Sequence, residues 1–431
     1  MNEALLTGVF LLALFFLLGS SVWVAFSLLG CAVVGMEMFT HRPVGESMAM
    51  TIWGVNSSWT LTSLPLFVWM GEILFRSKLS ESLFKGLTPL MSRLPGGLLH
   101  VNVAGSAIFA AICGSSAATA VTVGKMSIPE LRRRNYPEHM IVGTLAGAGT
   151  LGLLIPPSIT LIIYGVTVNE SIAKLFMAGV LPGLMLAALF MGYVALVAWL
   201  KGDQSEREQR VYSLKDKLKG GVQLLPVFSL ILVVIGSIYS GVATATESAV
   251  LGVAGSLLMA GLQGSLSWDS FRQSLMGAVR TSCMIAFILM GSSFLSLAMG
   301  FTGLPKNLAE IIASWHLSPL MLIVILTLFY IVMGCFLDGI SSIVLTMAVI
   351  EPLVRQAGFD MIWFGVYLML VVEMAQITPP VGFNLFVLQG MTGHDMGFIA
   401  RAAFPMFLLM ILAVVLLVWF PGIATVLPAA M

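Results

Sequence analysis

The segments GCFLDGISSIVLTMAVIEPLV (334–354) and FGVYLMLVVEMAQITPPVG (364–382) decide the fold, because they place an acid, several small residues and a proline pair in an apolar sequence. An aspartate at the centre of a bilayer helix costs about 2.5–3.5 kcal/mol, so Asp338 is expected to face protein, water or an ion rather than lipid. The pair Pro379 and Pro380 removes two backbone donors and breaks a helix where neighbouring groups must satisfy the freed carbonyls. Both segments therefore predict a backbone that departs from a regular helix inside a membrane.

The same proline pattern occurs twice, 223 residues apart. The matching pairs are Pro129 and Pro352, Pro156 and Pro379, Pro157 and Pro380, and Pro182 and Pro405. Proline makes up only about 5% of average sequence, so a shared register without a gap is very unlikely to be accidental. The chain is therefore interpreted as an internal duplication.

Composition restricts the class of protein. The chain has 431 residues, of which 58% are hydrophobic and 10% charged, and its mean hydropathy is +1.01. These values exceed those of soluble globular proteins and predict a polytopic protein embedded in a lipid bilayer. A net charge of +1 gives no overall field that would attract nucleic acid. The sequence contains no Walker, GxSxG or HExxH motif, so enzymes of those classes are not predicted.

Metal and redox chemistry find little support in the sequence. The five histidines lack the spacing of metal ligands, and no two of the four cysteines form a CxxC pair. We therefore predict no transition-metal site and no organic cofactor, and interpret the cysteines as small apolar packing residues.

Two long apolar segments are interrupted by small residues near their centres. The first covers about residues 96–134, with CGSSAA at 113–118, and the second covers about 317–359, with GCFLDGISS at 334–342. For the first, one overlong tilted span competes with a re-entrant hairpin. Basic residues on both of its flanks favour the hairpin, whose arms then enter and leave on the cytoplasmic side.

Each hairpin precedes a helix broken at a proline pair, over about residues 140–168 and 362–390. The basic loop 201–221 is predicted to be a cytoplasmic linker. The first repeat is then 1–200 and the second 222–431, each with about five transmembrane helices and one re-entrant hairpin. Because an odd number of crossings inverts the second half, the prediction is an all-α membrane protein with inverted-topology repeats, a plan of many secondary transporters.

Hairpin tips and helix breaks expose carbonyls and hydroxyls that replace water around an ion near the bilayer midplane. A hard monovalent cation such as Na⁺ takes oxygen ligands of this kind. Asp338 would add a counter-charge in one site only. The predicted sodium-binding residues are Gly114, Ser115, Ser116, Ile155, Pro156, Gly334, Asp338, Gly339, Ser341, Thr378 and Pro379.

The predicted substrate-binding residues lie beside the same tips and breaks. They are Ser116, Ser158, Ser342, Pro380 and Asn384. Several alternatives stay open. The alternative role of the serine pairs is helix–helix packing. Asp338 is alternatively a proton carrier or an acid that contacts the sodium ligands rather than the ion, and the Asn384 amide alternatively holds its own helix in place.

The resemblance to a known family rests on an ordered set of motifs. They are LPLFVWMGEILFRS (64–77), GGLLHVNVAGSAIFAAICGSSAATA (96–120), LGLLIPPSITLIIYG (151–165), LFMAGVLPG (175–183), TATESAV (244–250) and ITPPVGFNLFV (377–387). In this combination the chain resembles the large membrane subunit of tripartite ATP-independent periplasmic (TRAP) transporters over essentially its whole length.

The resemblance implies a multi-pass protein of the bacterial inner membrane that imports an organic anion, namely a carboxylate, sugar acid or sulfonate, with a sodium gradient. It also implies two partners, a small four-helix membrane subunit and a periplasmic substrate-binding protein, and an elevator motion of a transport domain against a scaffold. Two other functions remain open: a self-sufficient Na⁺- or H⁺-coupled carrier of dicarboxylates or inorganic anions, and an intramembrane enzyme or non-transporting assembly subunit.

Overall fold

A computed structural model describes residues 3–20, 22–201, 212–303, 307, 318–335, 337–380 and 382–431. All regular secondary structure in these residues is helical, so the predicted all-α class is confirmed. Within the described part of the chain, six helices are long and apolar enough to cross a bilayer; they are Ile172–Leu200, Leu214–Tyr239, Ala245–Leu262, Trp268–Thr302, Gly339–Gln356 and Met396–Trp419. The sequence GLPKNLAEIIASWH (303–316) predicts an interfacial stretch, and it falls almost wholly outside the described residues.

One group of helices comes from the beginning of each half. Its members are α1 (Glu3–Gly19), α2 (Val24–Phe39), α3 (Val44–Asn56), α4 (Ser63–Phe75), α5 (Leu79–Met91), α11 (Leu214–Tyr239), α12 (Ala245–Leu262) and α13 (Trp268–Thr302). Helix α13 packs against α2, α3 and α4, while α11 packs against α5 and α12 packs against α4. The early helices of the two halves therefore form one body.

The two predicted hairpins correspond to two pairs of packed helices. They are α6 (Leu99–Cys113) with α7 (Ser116–Arg133), and α14 (Pro319–Gly334) with α15 (Gly339–Gln356). Ser115 and Asp338 are the N-cap residues of the second arms, and each accepts hydrogen bonds from backbone amides of its own helix. Because such capping satisfies amides that have no partner within the helix, it fixes where each second arm begins.

The predicted broken helices each consist of two shorter helices. They are α8 (Glu138–Thr150) with α9 (Ile159–Val168), and α16 (Met361–Gln376) with α17 (Phe383–Thr392); α10 (Ile172–Lys201), α18 (Met396–Trp419) and α19 (Gly422–Ala429) complete the chain. A short 3₁₀ turn, Leu151–Leu153, ends α8 just before the first proline pair. Proline cannot donate to the preceding turn, which explains why both helices stop there.

Helix α16 lies at the centre of the fold. Every residue from Trp363 to Gln376 is buried, although the helix carries an acid and an amide in its last turns. It packs against α14, α10, α18 and α9. A helix that is apolar on all sides needs such a position, because no face of it suits water.

The linker between the halves differs from the expectation for 201–221. Residues 202–211 lie outside the described part of the chain. Helix α11 begins at Leu214, so the C-terminal part of the predicted linker, 214–221, is helical. The reason is a capping box, in which Ser213 accepts from the helix backbone while Asp216 accepts from the Ser213 amide at 2.9 Å. Three basic residues of this stretch, Lys215, Lys217 and Lys219, therefore lie on α11.

The duplication is visible in the helix boundaries. Adding 223 to the bounds of α7, residues 116 and 133, gives 339 and 356, which are the bounds of α15. The contacts repeat as well, since α7 packs against α17 of the other half and α15 packs against α9. Each hairpin is thus joined to the broken helix of the opposite half.

Two arginines at equivalent positions tie these contacts together. Arg132 on α7 donates to the Thr392 carbonyl at 3.3 Å, and Arg355 on α15 donates to the Val168 carbonyl at 3.1 Å. Both carbonyls end a helix, where the last backbone acceptors have no partner within the helix and the dipole favours a cation. Glu138 further holds Arg132, with the closer contact at 2.6 Å.

We expect Arg132→Met and Arg355→Met each to lower the Tm of the purified protein. Both guanidinium groups are more than a third exposed, so each contact contributes about 1 kcal/mol at most, roughly 1–2 °C in a chain of this size. The two effects should add in the double variant, because the sites are separate. Arg133→Met is the control, since Arg133 pairs with Glu130 of its own helix; a Tm change as large as in the other variants would contradict this role.

Candidate functional site

The tip of the first hairpin lies directly on the first helix break. The Ile159 amide donates to the Gly114 carbonyl at 3.4 Å. A Cβ at Gly114 would lie 2.5 Å from the Pro157 carbonyl oxygen, and one at Gly152 would lie 2.7 Å from the Ser115 carbonyl oxygen. Only glycine permits such approaches, and Gly114 also has a φ of +59°. Backbone carbonyls of the tip and the break therefore meet in one place.

The hydroxyl groups of this region have different surroundings. Ser115 Oγ caps its own helix by accepting from the Ala118 amide at 3.5 Å. Ser116 Oγ donates to Oε1 of Gln376 at 2.7 Å, across the two halves of the chain. Ser158 is buried; its hydroxyl donates to the Leu153 carbonyl and accepts from the Leu161 amide. Ser115 and Ser158 therefore bond within their own segments, and of these three only Ser116 bonds to the other half of the chain.

The second hairpin meets the second break in the same manner. A Cβ at Gly334 would lie 2.3 Å from the Cβ of Ala375, so the first arm touches the end of α16. The Cys335 sulfur lies 3.1 Å from the Ile331 carbonyl oxygen of its own helix and 3.2 Å from the Pro379 carbonyl oxygen of the break. Thr378 Oγ1 donates back to the Met374 carbonyl at 2.7 Å. A cysteine interpreted from the sequence as apolar packing therefore contacts the break through its sulfur.

Asp338 lies at the exposed tip of the second hairpin. Its Oδ2 accepts from the Ile340 amide at 3.1 Å and from the Ser341 amide at 3.4 Å, which makes it the N-cap of α15. It occupies the position of Ser115 in the other half, because 115 plus 223 is 338. One carboxylate oxygen of Asp338 therefore caps α15, and the other makes no hydrogen bond within the described residues.

Two predicted substrate residues carry polar atoms without partners. Ser342 is 1% exposed and its hydroxyl makes no hydrogen bond within the described residues. Asn384, in the first turn of α17, is fully buried, and neither its amide oxygen nor its amide nitrogen has a partner there. A buried polar group without a partner costs about 1–3 kcal/mol, so these atoms are suited to contact a ligand.

The two breaks differ in their exposure. Pro156 and Pro157 are buried, whereas Pro379 and Pro380 are exposed, and so is Asp338 at the second hairpin tip. The proline pair of the break is therefore buried in the first half and exposed in the second.

Two polar residues at the end of α16 were not predicted as site residues. Glu373 is fully buried, and its carboxylate lies against the backbone of Leu153 and Leu154 at the first helix break. Gln376, one turn later, contacts Ser116 as described above. The rule that singled out Asp338, an acid within an apolar run, applies equally to Glu373 and would have found it.

An all-helical membrane fold in which hairpin tips meet interrupted helices is the architecture of a secondary transporter. A family model described as the DctM component of tripartite ATP-independent periplasmic transporters matches residues 9–423. The chain belongs to this family, so the resemblance drawn from the motifs is confirmed.

Individual relatives agree with this assignment. The C4-dicarboxylate TRAP transporter large permease protein DctM of Pseudomonas aeruginosa is 29% identical over 384 residues, which cover 89% of each chain. The sialic acid TRAP transporter large permease protein SiaM of Vibrio cholerae is 27% identical over 417 residues, covering 96% of each. The crystal structure of the Alcanivorax borkumensis YdaH transporter has a similar fold, with a TM-score of 0.62, 12% identity, and coverage of 94% of this chain and 96% of that one.

Proposed function

We propose that this chain is the large membrane subunit of a sodium-coupled importer of a small organic anion. The observation that carries the proposal is the contact of each hairpin tip with a helix break, where Gly114 meets Ile159 and Cys335 meets Pro379. These contacts gather backbone carbonyls and serine hydroxyls inside a membrane protein. Such oxygens replace the hydration shell of Na⁺ without burying a net charge.

The substrate is proposed to bind between the same elements through amides and hydroxyls. Helices α9, α15 and α17 begin at the breaks and the second tip, and the N-terminus of a helix favours a carboxylate. The unpartnered atoms of Ser342 and Asn384 would then donate to the anion. Relatives are named for a C4-dicarboxylate, for sialic acid and for isethionate, which carry a carboxylate or a sulfonate, so a carboxylate or sulfonate is the group we propose to be recognised here.

The arrangement of helices supports an elevator motion of a transport domain against a scaffold. The body formed by the early helices of the two halves, α1–α5 and α11–α13, would be the scaffold, and the hairpins with their broken helices would be the transport domain. The crossed contacts, α7 with α17 and α15 with α9, would keep that domain rigid while it moves. The halves at 1–200 and 222–431 would then be related by inversion across the membrane.

Partners and location follow from the family. The description of the family as a tripartite periplasmic transporter supports two further components, which we propose to be a binding protein that delivers the anion and a small membrane subunit beside this one. We therefore place the chain in the bacterial inner membrane, with the basic residues around 201–221 on the cytoplasmic side by the positive-inside rule.

The decisive experiment is uptake of radiolabelled organic acids into proteoliposomes that contain this chain and its small subunit. Each acid is tested with and without an inward sodium gradient, and with and without its binding protein. We expect uptake only when both the gradient and the binding protein are present. Uptake that needs the gradient alone would contradict the partner assignment, and uptake indifferent to sodium would contradict the coupling.

A further inference from the structure

The side chain of Gln376 joins the two hairpins. It is the last residue of α16 and is 4% exposed. Its Oε1 accepts from the Ser116 hydroxyl at 2.7 Å, and its Nε2 is 2.9 Å from where a Cβ on Gly339 would lie. Ser116 and Gly339 are the first residues of α7 and α15 and occupy equivalent positions, since 116 plus 223 is 339. One amide therefore touches the same position of both hairpins.

This contact fixes the direction of a hydroxyl group. A serine hydroxyl has one proton to donate and two lone pairs with which to accept. Ser116 gives its proton to an amide oxygen, and no donor among the hydrogen bonds of the described residues uses its lone pairs. Those lone pairs are the part of a hydroxyl that a cation requires. The Gln376 oxygen thus holds Ser116 as an acceptor before any ion arrives.

The opposite end of the amide explains the glycine in the second hairpin. Gly339 is buried, and any side chain there would collide with Nε2 of Gln376 and with Val372, whose Cγ1 lies 3.0 Å from the same Cβ position. The amide is therefore confined from that side, and a shift of the second hairpin tip would press directly on the group that orients Ser116.

We propose that Gln376 is a positioning residue, contributed by the second half, for a cation site at the first hairpin tip, and that it links this site to the second hairpin. The proposal rests on the sodium coupling proposed above. It predicts that loss of the amide weakens cation binding while transport at saturating sodium persists.

The test uses the assembled transporter in proteoliposomes and measures uptake against sodium concentration. Gln376→Met keeps the length of the side chain and removes the acceptor, and we expect the half-saturating sodium concentration to rise about five- to tenfold. The maximal rate should stay within about twofold, because the amide is proposed to act on Ser116 and not on the substrate. Gln376→Glu keeps an acceptor oxygen in either protonation state and should retain sodium affinity near that of the parent.

A double-mutant cycle separates positioning from general disruption. In a Ser116→Ala background, Gln376→Met should cause little further change, because the hydroxyl it orients is already gone. Gln223→Met on α11, which packs against α5 and α12, is the matched control and should leave sodium dependence unchanged. If Gln376→Met weakens sodium affinity by the same factor with and without the Ser116 hydroxyl, the proposal is overturned.

The failure of this inference can be told from the failure of the proposed function. If the parent transports without sodium, the coupling itself is wrong. If the parent needs sodium but Gln376→Met has the parent's sodium dependence, only the role of Gln376 is wrong. Should Gln376→Met not fold, Gln376→Asn retracts the amide by one methylene and is expected to raise the half-saturating sodium concentration in the same way; parent-like sodium dependence of that variant would also overturn the proposal.

Discussion

Gly114→Ala is expected to reduce sodium-dependent uptake by roughly tenfold or more, the factor that 1.4 kcal/mol represents. Alanine in the left-handed conformation of Gly114 costs about 1–2 kcal/mol. In addition, its Cβ would lie 2.5 Å from the Pro157 carbonyl oxygen, which is backbone and cannot rotate away. The hairpin tip must therefore move off the break and take the carbonyls of the proposed sodium site with it.

Gly264→Ala is the matched control for this prediction. Gly264 has a φ of +62°, close to that of Gly114, but nothing lies within 4 Å of its Cβ position. It therefore imposes the same backbone strain without the collision. Membrane insertion and thermal stabilisation by sodium should be measured alongside uptake, since a ligand that binds the folded state raises its Tm. Equal losses of uptake in the two variants would show that strain, and not the contact with the break, is responsible.

Asp338→Asn is expected to raise the half-saturating sodium concentration about tenfold, because a carboxylate near a bound cation contributes on the order of 1–4 kcal/mol. The substitution is informative because asparagine is as good an N-cap as aspartate, so α15 keeps its bonds from Ile340 and Ser341. It removes the charge alone. Asp338→Ala removes both charge and cap and should be at least as impaired.

The pattern across these variants decides the role of Asp338. If Asp338→Asn transports like the parent and Asp338→Ala does not, Asp338 serves as a helix cap, as Ser115 does in the other half. Asp395→Asn provides the control, since Asp395 caps α18 by accepting from the Phe398 amide at 2.9 Å and belongs to neither hairpin nor break. Its sodium dependence should match the parent.

Much of the candidate site was predictable because its features are local. A proline pair ends a helix wherever it occurs, and a serine or aspartate before an apolar run begins one. Both breaks and both tips could therefore be placed from the sequence. The role of Gln376 could not, because its partner Ser116 lies 260 residues away and nothing in either local pattern refers to the other.

The sequence by itself determined that this protein is a duplicated, all-helical membrane protein with two hairpins and two broken helices, since spacing, composition and proline chemistry act along the chain. The tertiary structure decided which elements meet. It paired Arg132 with the end of α17 and Arg355 with the end of α9, and it left Pro379 exposed while burying Pro156. Two halves with the same local pattern become different because each packs against the other, and packing between distant segments depends on the shapes of both surfaces at once.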